Sequence, residues 1–357
     1  MNQKEKNLFL ELCSFRDASY SKIKTLLTEG AATPTVLGML FENRMAAVAF
    51  QVLKEMGLLE MINREFRNAL KIASVLGTRQ NEDFEACLIL VSKLLDACKV
   101  PYALLKGAYL FGQYPEGART SNDIDILVAS EHVRTVSEKL KEAGFEQGYL
   151  RNGVFVPATR QQIVESKMTR GETVPFIKEV GFPFIQYLEV DINFSLDYKN
   201  SDDCVLKDML SRAERTIAGN AVISTLDKYD FMVHLCTHLY KEATTMPWLR
   251  MKRDMTFYKY CDIYALLYDY STKDAERLIE RAEKCGAKTE LLYCLKSIYF
   301  FFKIKQPALR KYLRKNPEEL DEVIAPSENK RYRYKITNPA VRFFKQDRMA
   351  LLEEVMT

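Results

Sequence analysis

Apolar residues recur at helical spacing over most of the first hundred positions, give way to short runs of strand type, and then return to helical spacing. Helices are predicted over 3–14, 18–28, 34–57, 60–75 and 82–98, with Gly30, Pro34, Gly57 and Gly77 as breaks. Within 43–56, Met45, Val48, Ala49, Val52 and Met56 form one stripe, as a core-facing helix requires. The apolar runs Tyr102–Leu105 and Ile124–Val128 read as strands. Ser130 is placed to cap a helix over 131–143 that Gly144 ends, and 149–156 reads as a hairpin turning at Asn152-Gly153. No clear pattern organises 157–183. In 184–196 the pattern alternates: Val190, Ile192 and Phe194 fall on one face, Glu189, Asp191 and Asn193 on the other. From Asp202 the spacing reads as helical, with helices at about 225–242, 255–270, 272–285, 288–304, 307–314, 317–324 and 339–356.

Strands alternating with helices predict an α/β (α+β) fold, a small mixed sheet covered by helices. The shifts in pattern set three regions: an N-terminal helical region at 1–99, a core at 100–200 and a C-terminal helical domain at 201–357. At 357 residues the chain is long enough for two or three domains. Its 14 glycines fall below the usual share of about 7%, which favours helix over turn-dense architecture. A net charge of +4 allows an anionic substrate without demanding nucleic acid. No apolar run approaches the roughly 18 residues of a membrane span, and the N-terminus lacks an apolar signal core, so no membrane association is expected. The eight cysteines include no Cys-x-x-Cys and mostly sit in helical patterns, as reduced core thiols of a cytoplasmic protein would.

The chemistry concentrates between Leu105 and Val128. Asp123 and Asp125 lie two apart in a strand, so they share a face, with Cβ atoms roughly 6.6 Å apart at the rise of a strand. That spacing lets two carboxylates converge on one or two cations. Asp is also depleted in strands, so two in one strand ask for a reason. Lys106-Gly107 closes the preceding strand, and a strand, a Gly and a helix start present amides and a point charge to phosphate. The loop Tyr114–Asn122 delivers Arg119 just ahead of the carboxylates, where a guanidinium could grip phosphate in bidentate fashion. Each feature alone also has a plain reading: a solvated strand end, a surface lysine, an ordinary loop arginine.

Together these residues resemble the DNA polymerase β-type nucleotidyltransferase superfamily, whose pattern is a strand ending in Gly-Ser or Gly-Gly, then Asp-x-Asp or Asp-x-Glu, then a third carboxylate in a later strand. Leu105-Lys-Gly107, Arg119 and Asp123-Ile-Asp-Ile-Leu-Val128 look closest to the bacterial uncharacterised nucleotidyltransferases. The resemblance implies a nucleotidyltransferase core that moves a nucleoside monophosphate from a nucleoside triphosphate to an unidentified acceptor, with two Mg²⁺ ions as cofactors. It implies Asp123, Asp125 and Asp191 as catalytic and metal-binding residues, with Asp191 preferred over Glu189. Lys106, Gly107 and Arg119 would bind the triphosphate. Two departures stand out: Ala108 replaces the Ser or Gly after the motif glycine, and the gap from Gly107 to Asp123 is long.

Other expectations remain open beside this one. A non-catalytic nucleotide-binding or regulatory module could use the same fold. Lys330-Arg-Tyr-Arg-Tyr-Lys335 interleaves cations with aromatics, the composition of an RNA-binding or RNA-tailing strand, although a basic solvated edge fits it better. His234 and His238 at i, i+4 read as buried or pocket-lining side chains, since Leu235 stands where a zinc protease needs Glu.

Overall fold

The computed structural model describes residues 1–196, 203–314 and 318–355. The expected domain limit at 200, residue 317 at the start of one expected helix and residue 356 at the end of another lie outside the described residues. Contacts group the chain into two compact units, Met1–Ser74 with Met232–Thr357, and Val75–Phe231. The fold is mixed α/β, and the chemistry-bearing residues lie in the second unit.

That unit is built on an eight-stranded mixed sheet. Its strands are β1 (Tyr102–Leu104), β2 (Asp123–Val128), β3 (Glu146–Arg151), β4 (Val154–Pro157), β5 (Phe176–Glu179), β6 (Tyr187–Asn193), β7 (Glu214–Ala218) and β8 (Ala221–Thr225). They lie in the order β4-β3-β5-β6-β2-β1-β8-β7. The pairs β2/β6 and β1/β8 are parallel, and the remaining pairs are antiparallel. Asn152 and Gly153 turn β3 into β4 with φ of 52° and 77°, as a two-residue hairpin demands. One face of the sheet is dry. Ile124, Ile126 and Val128 of β2 and Leu188, Val190 and Ile192 of β6 pack there with Phe84, Leu88, Val91 and Leu95 of the helix Arg64–Cys98 and Val136 and Leu140 of the helix Val133–Glu142. The carboxylates on these strands are thereby left to the other face.

Several expected boundaries move for identifiable reasons. Gly77 does not break a helix: Arg64–Cys98 runs through it, because a Cβ there would lie 2.1 Å from the Gly117 carbonyl oxygen. The glycine serves close approach by the loop that carries Arg119. The expected helix 34–57 is instead two, Pro34–Glu42 and Ala46–Glu55. Asn43 stops the first, its side chain donating to the Met39 carbonyl and accepting from the Phe257 amide, while Arg44 takes φ 56°. In the stretch read as helical from Asp202, β7 and β8 form a hairpin whose turn, Gly219-Asn220, is held by the Glu85 carboxylate. Asn220 donates to it through both its amide and its side chain. Thr225 then donates to the Leu104 carbonyl at 2.7 Å, fastening the end of β1 next to Lys106.

The first unit is helical, with an aromatic cluster of Phe9, Phe257, Phe301 and Phe343. It also carries a three-stranded sheet of β9 (Glu322–Ala325), β10 (Lys330–Tyr334) and β11 (Leu352–Glu354). The expected helix 317–324 is instead a 3₁₀ turn, Glu318–Asp321, leading into β9, and of the expected helix 339–356 only Pro339–Phe343 is α-helical, with a 3₁₀ turn at Met349–Leu351 before β11. Beyond Phe343, both oxygens of buried Asp254 accept from Arg348 at 2.8 and 2.6 Å, which holds the chain off a helical path. Among the described residues no single helix is long and apolar enough to cross a membrane.

Candidate active site

The parallel register of β2 and β6 decides the site. It sets Asp123 opposite Glu189 and Asp125 opposite Asp191, with Leu127 opposite Asn193. Residues opposite one another in a parallel pair point to the same face, and neighbouring strands are about 4.8 Å apart. Four carboxylates thus share two adjacent rungs on the face away from the apolar core. Asp125 is 5% exposed, Asp191 half-buried, and Asp123 lies at the exposed start of its strand.

Crowding of like charges has electrostatic consequences. Burial raises the Asp191 carboxyl well above the ordinary carboxylate range, and Asp125, Glu189 and Asp123 push it further, with Lys106 opposing. Glu189 is raised by burial and by Asp123 and Asp125. Asp123 behaves differently. The residue as a whole is exposed, but its carboxyl group is desolvated against its neighbours, which pushes it up; the hydrogen bond from Ser121 and the charges of Lys106 and Arg119 outweigh this and leave it below its usual value. Two neighbouring carboxylates held apart in affinity for protons are a common feature of acid–base sites.

The cations arrive from the segment between β1 and β2, at the same end of these strands as the aspartates. Lys106 caps the four-residue helix Gly107–Leu110 with φ 46° and ψ −117°, a backbone conformation an L-residue rarely adopts and one that costs about 1–3 kcal/mol. It donates to Asp125 Oδ1 at 2.7 Å. The Leu105 amide donates to the Asp125 carbonyl at 2.9 Å, tying the lysine turn to the strand of the aspartates. Arg119, 8% exposed, donates to the Thr120 carbonyl at 2.7 Å, and its charge reaches Asp123. The structure therefore brings together Lys106, Gly107, Arg119, Asp123, Asp125 and Asp191.

Three participants were not assigned from sequence. Ser121 Oγ donates to Asp123 Oδ1 at 2.7 Å and lies 2.4 Å from where a Cβ on Gly107 would be. Gly107 is glycine because Ser121 occupies that space. The hydroxyl missing at Ala108, whose side chain is buried in the core, is thus present near the same turn from another segment. A Ser two residues ahead of the Asp pair was the available signal. Gln80 holds the segment, donating to Asn122 Oδ1 at 2.6 Å. Asn193 lies two residues beyond Asp191, and its side-chain amide reaches Asp125 Oδ1 at 3.4 Å.

Oxygen donors of this kind suit Mg²⁺, a hard cation bound by carboxylates and phosphates, and closely spaced negative charge is what such an ion relieves. The donor chemistry fits. As the side chains stand, however, no three His, Cys, Asp or Glu among the described residues are gathered into an ion-holding group, and the Lys106 ammonium lies against Asp125.

The remaining expectations fall in the first unit. His234 is 4% exposed, as a buried histidine should be. His238 Nε2 lies 3.2 Å from Glu242, which also holds the Lys259 ammonium. On β10, Lys330 pairs with Glu354 and Arg333 with Glu322, while Tyr334 is buried beneath the Arg342 guanidinium at 4.4 Å. Lys330 and Arg333 are thus paired with acids of the two flanking strands.

A family model described as "Uncharacterised nucleotidyltransferase" matches residues 30–302. Comparison with curated proteins found no match. Among solved structures, an antigenic nucleotidyltransferase-like protein from Paracoccidioides brasiliensis is similar at 13% identity and a TM-score of 0.34, over 70% of this chain and 97% of that one.

Proposed function

The chain belongs to the uncharacterised nucleotidyltransferase family, and on that premise we propose that it transfers a nucleoside monophosphate from a nucleoside triphosphate to an acceptor hydroxyl or phosphate. The observation that carries this reading is the pairing of Asp125 with Asp191 across parallel strands, beside Lys106 and Arg119. Two Mg²⁺ ions held by Asp123, Asp125 and Asp191 would supply charge neutralisation on the triphosphate and a more acidic acceptor hydroxyl. The protein's own groups do the rest. The Lys106 ammonium and the Arg119 guanidinium bind the β and γ phosphates, a lysine as a point charge and an arginine through its planar fork. Gly107, lacking a side chain, lets phosphate approach the turn. Asp191, nearest Asp125 on the neighbouring strand, accepts the proton of the acceptor hydroxyl. The acceptor oxygen then bonds to the α-phosphorus, the bond to the bridging oxygen breaks, and pyrophosphate leaves. Positioning and fixed charge account for most of such catalysis.

The competing reading is a module that binds nucleotide without turnover. Incubation with each α-labelled triphosphate, Mg²⁺ and a small-molecule extract as acceptor source separates the two, since turnover moves the label to an acceptor and releases unlabelled pyrophosphate. Asp125→Asn keeps the shape of the side chain and should lose at least ~100-fold in rate with its fold unchanged by circular dichroism. No transfer by the natural protein with any triphosphate would remove the enzymatic reading, and full activity in Asp125→Asn would remove the role given to that carboxylate.

A further inference from the structure

The Lys106 ammonium sits where a divalent ion would need Asp125. Asp125 Oδ1 accepts from Lys106 Nζ at 2.7 Å and from Asn193 Nδ2 at 3.4 Å, so the two acceptor positions of that oxygen are already directed at nitrogen donors. Mg²⁺ requires oxygen at about 2.0–2.1 Å in near-octahedral geometry, which an ammonium on Oδ1 obstructs at that atom, and an ion on the other oxygen would meet the repulsion of the same charge. The lysine backbone is fixed: its carbonyl accepts from the amides of Tyr109 and Leu110 at 3.2 and 2.9 Å. The four-carbon stem is flexible, and the side chain is 23% exposed, so the ammonium has a path outward that the Asp125 carboxylate, 6% exposed, does not.

We propose that Lys106 is a resident counter-ion of the carboxylate site, displaced from Asp125 when a divalent ion enters and transferred to the phosphates of the incoming triphosphate. The inference rests on the metal-dependent reading above and adds a coupling to it. Before the ion binds, Lys106 partly neutralises the two rungs of carboxylates and keeps them compatible with folding. When the ion binds, that role passes to the metal, and the released ammonium finds its anion on the nucleotide. Lys106 thereby opposes binding of the metal alone and favours binding of metal and triphosphate together, a linkage between two ligands at one site.

The test uses the full chain and two probes. Mn²⁺ binding without nucleotide, followed by the electron paramagnetic resonance of the free ion, should be on the order of tenfold tighter in Lys106→Met than in the natural protein, a size typical of such couplings. Lys106→Arg, which keeps the charge, should bind Mn²⁺ like the natural protein. At saturating Mn²⁺, calorimetry with inorganic tripolyphosphate should show the opposite sign, with Lys106→Met binding more weakly by a similar factor. Equal Mn²⁺ affinity in Lys106→Met and the natural protein overturns the counter-ion role while leaving the metal site in place. Mn²⁺ binding in neither protein overturns both readings. Tighter Mn²⁺ with unchanged tripolyphosphate overturns the transfer to phosphate.

Discussion

Gly107→Ala tests how the turn beside the carboxylates is built. The added Cβ would lie 2.4 Å from Ser121 Oγ and 2.6 Å from Ser121 Cβ, where unbonded heavy atoms normally keep about 3.5–4.0 Å. Ser121 is buried, so about 1 Å of displacement must be absorbed by a packed segment. Overpacking of that kind costs about 1–3 kcal/mol. If Ser121 turns away, its 2.7 Å bond to Asp123 is lost as well, at about 1.5–3 kcal/mol for a charged acceptor, taken at the low end because Asp123 lies at an exposed strand start. The better helix propensity of alanine returns under 1 kcal/mol. The net expectation is about 2–4 kcal/mol. Ser121→Gly removes both colliding atoms, so in that background the alanine should cost under ~1 kcal/mol and the double-mutant cycle should show a coupling of about 2 kcal/mol. Hydrogen exchange of peptides covering 102–128, read by mass spectrometry, gives the local opening free energy directly. An equal cost in the two backgrounds would show that Ser121 is not what excludes a side chain at 107.

Two further predictions concern charge. Asp191→Asn should abolish transfer yet stabilise the metal-free protein at neutral pH, because it removes one of several crowded carboxylates. A carboxyl whose affinity for protons is raised in the fold stabilises most below its unfolded value and loses that contribution as pH rises through the raised value. The melting-temperature advantage of the variant in EDTA should therefore grow from pH 5 to pH 8, and an advantage that shrinks refutes the crowding. Glu242 has the opposite sign: burial pushes its carboxyl up, but His238 and Lys259 outweigh it and hold it at about 2. Its contribution, about 3 kcal/mol at 1.36 kcal/mol per unit, is present above pH ~4.5 and lost as pH falls toward 2. Denaturation followed by the fluorescence of Trp248, the chain's single tryptophan, should show Glu242→Gln with a flatter acid limb than the natural protein; matching limbs would refute it.

The sequence by itself determined what local periodicity can encode. Alternation in 184–196 separated Val190 and Ile192 from Glu189 and Asp191, and two-residue spacing put Asp123 and Asp125 on one face, as the alternating burial along β6, the packing of Ile124 and Ile126 in the core and the register of the two strands bear out. The Asn152-Gly153 hairpin was legible for the same reason, since its turn needs only its own two residues. Other features depend on partners remote in the chain. Gly77 read as a helix break until Gly117 was seen against it, and the hairpin of β7 and β8 read as helix because Glu85, which anchors its turn, lies far upstream. Only the tertiary structure decided that β6 runs parallel beside β2 with Asp191 level with Asp125, that Ser121 fills the space left by Gly107, and that Lys106 meets Asp125. Register between distant strands is set by the packing of the whole sheet, so no short stretch of sequence contains it.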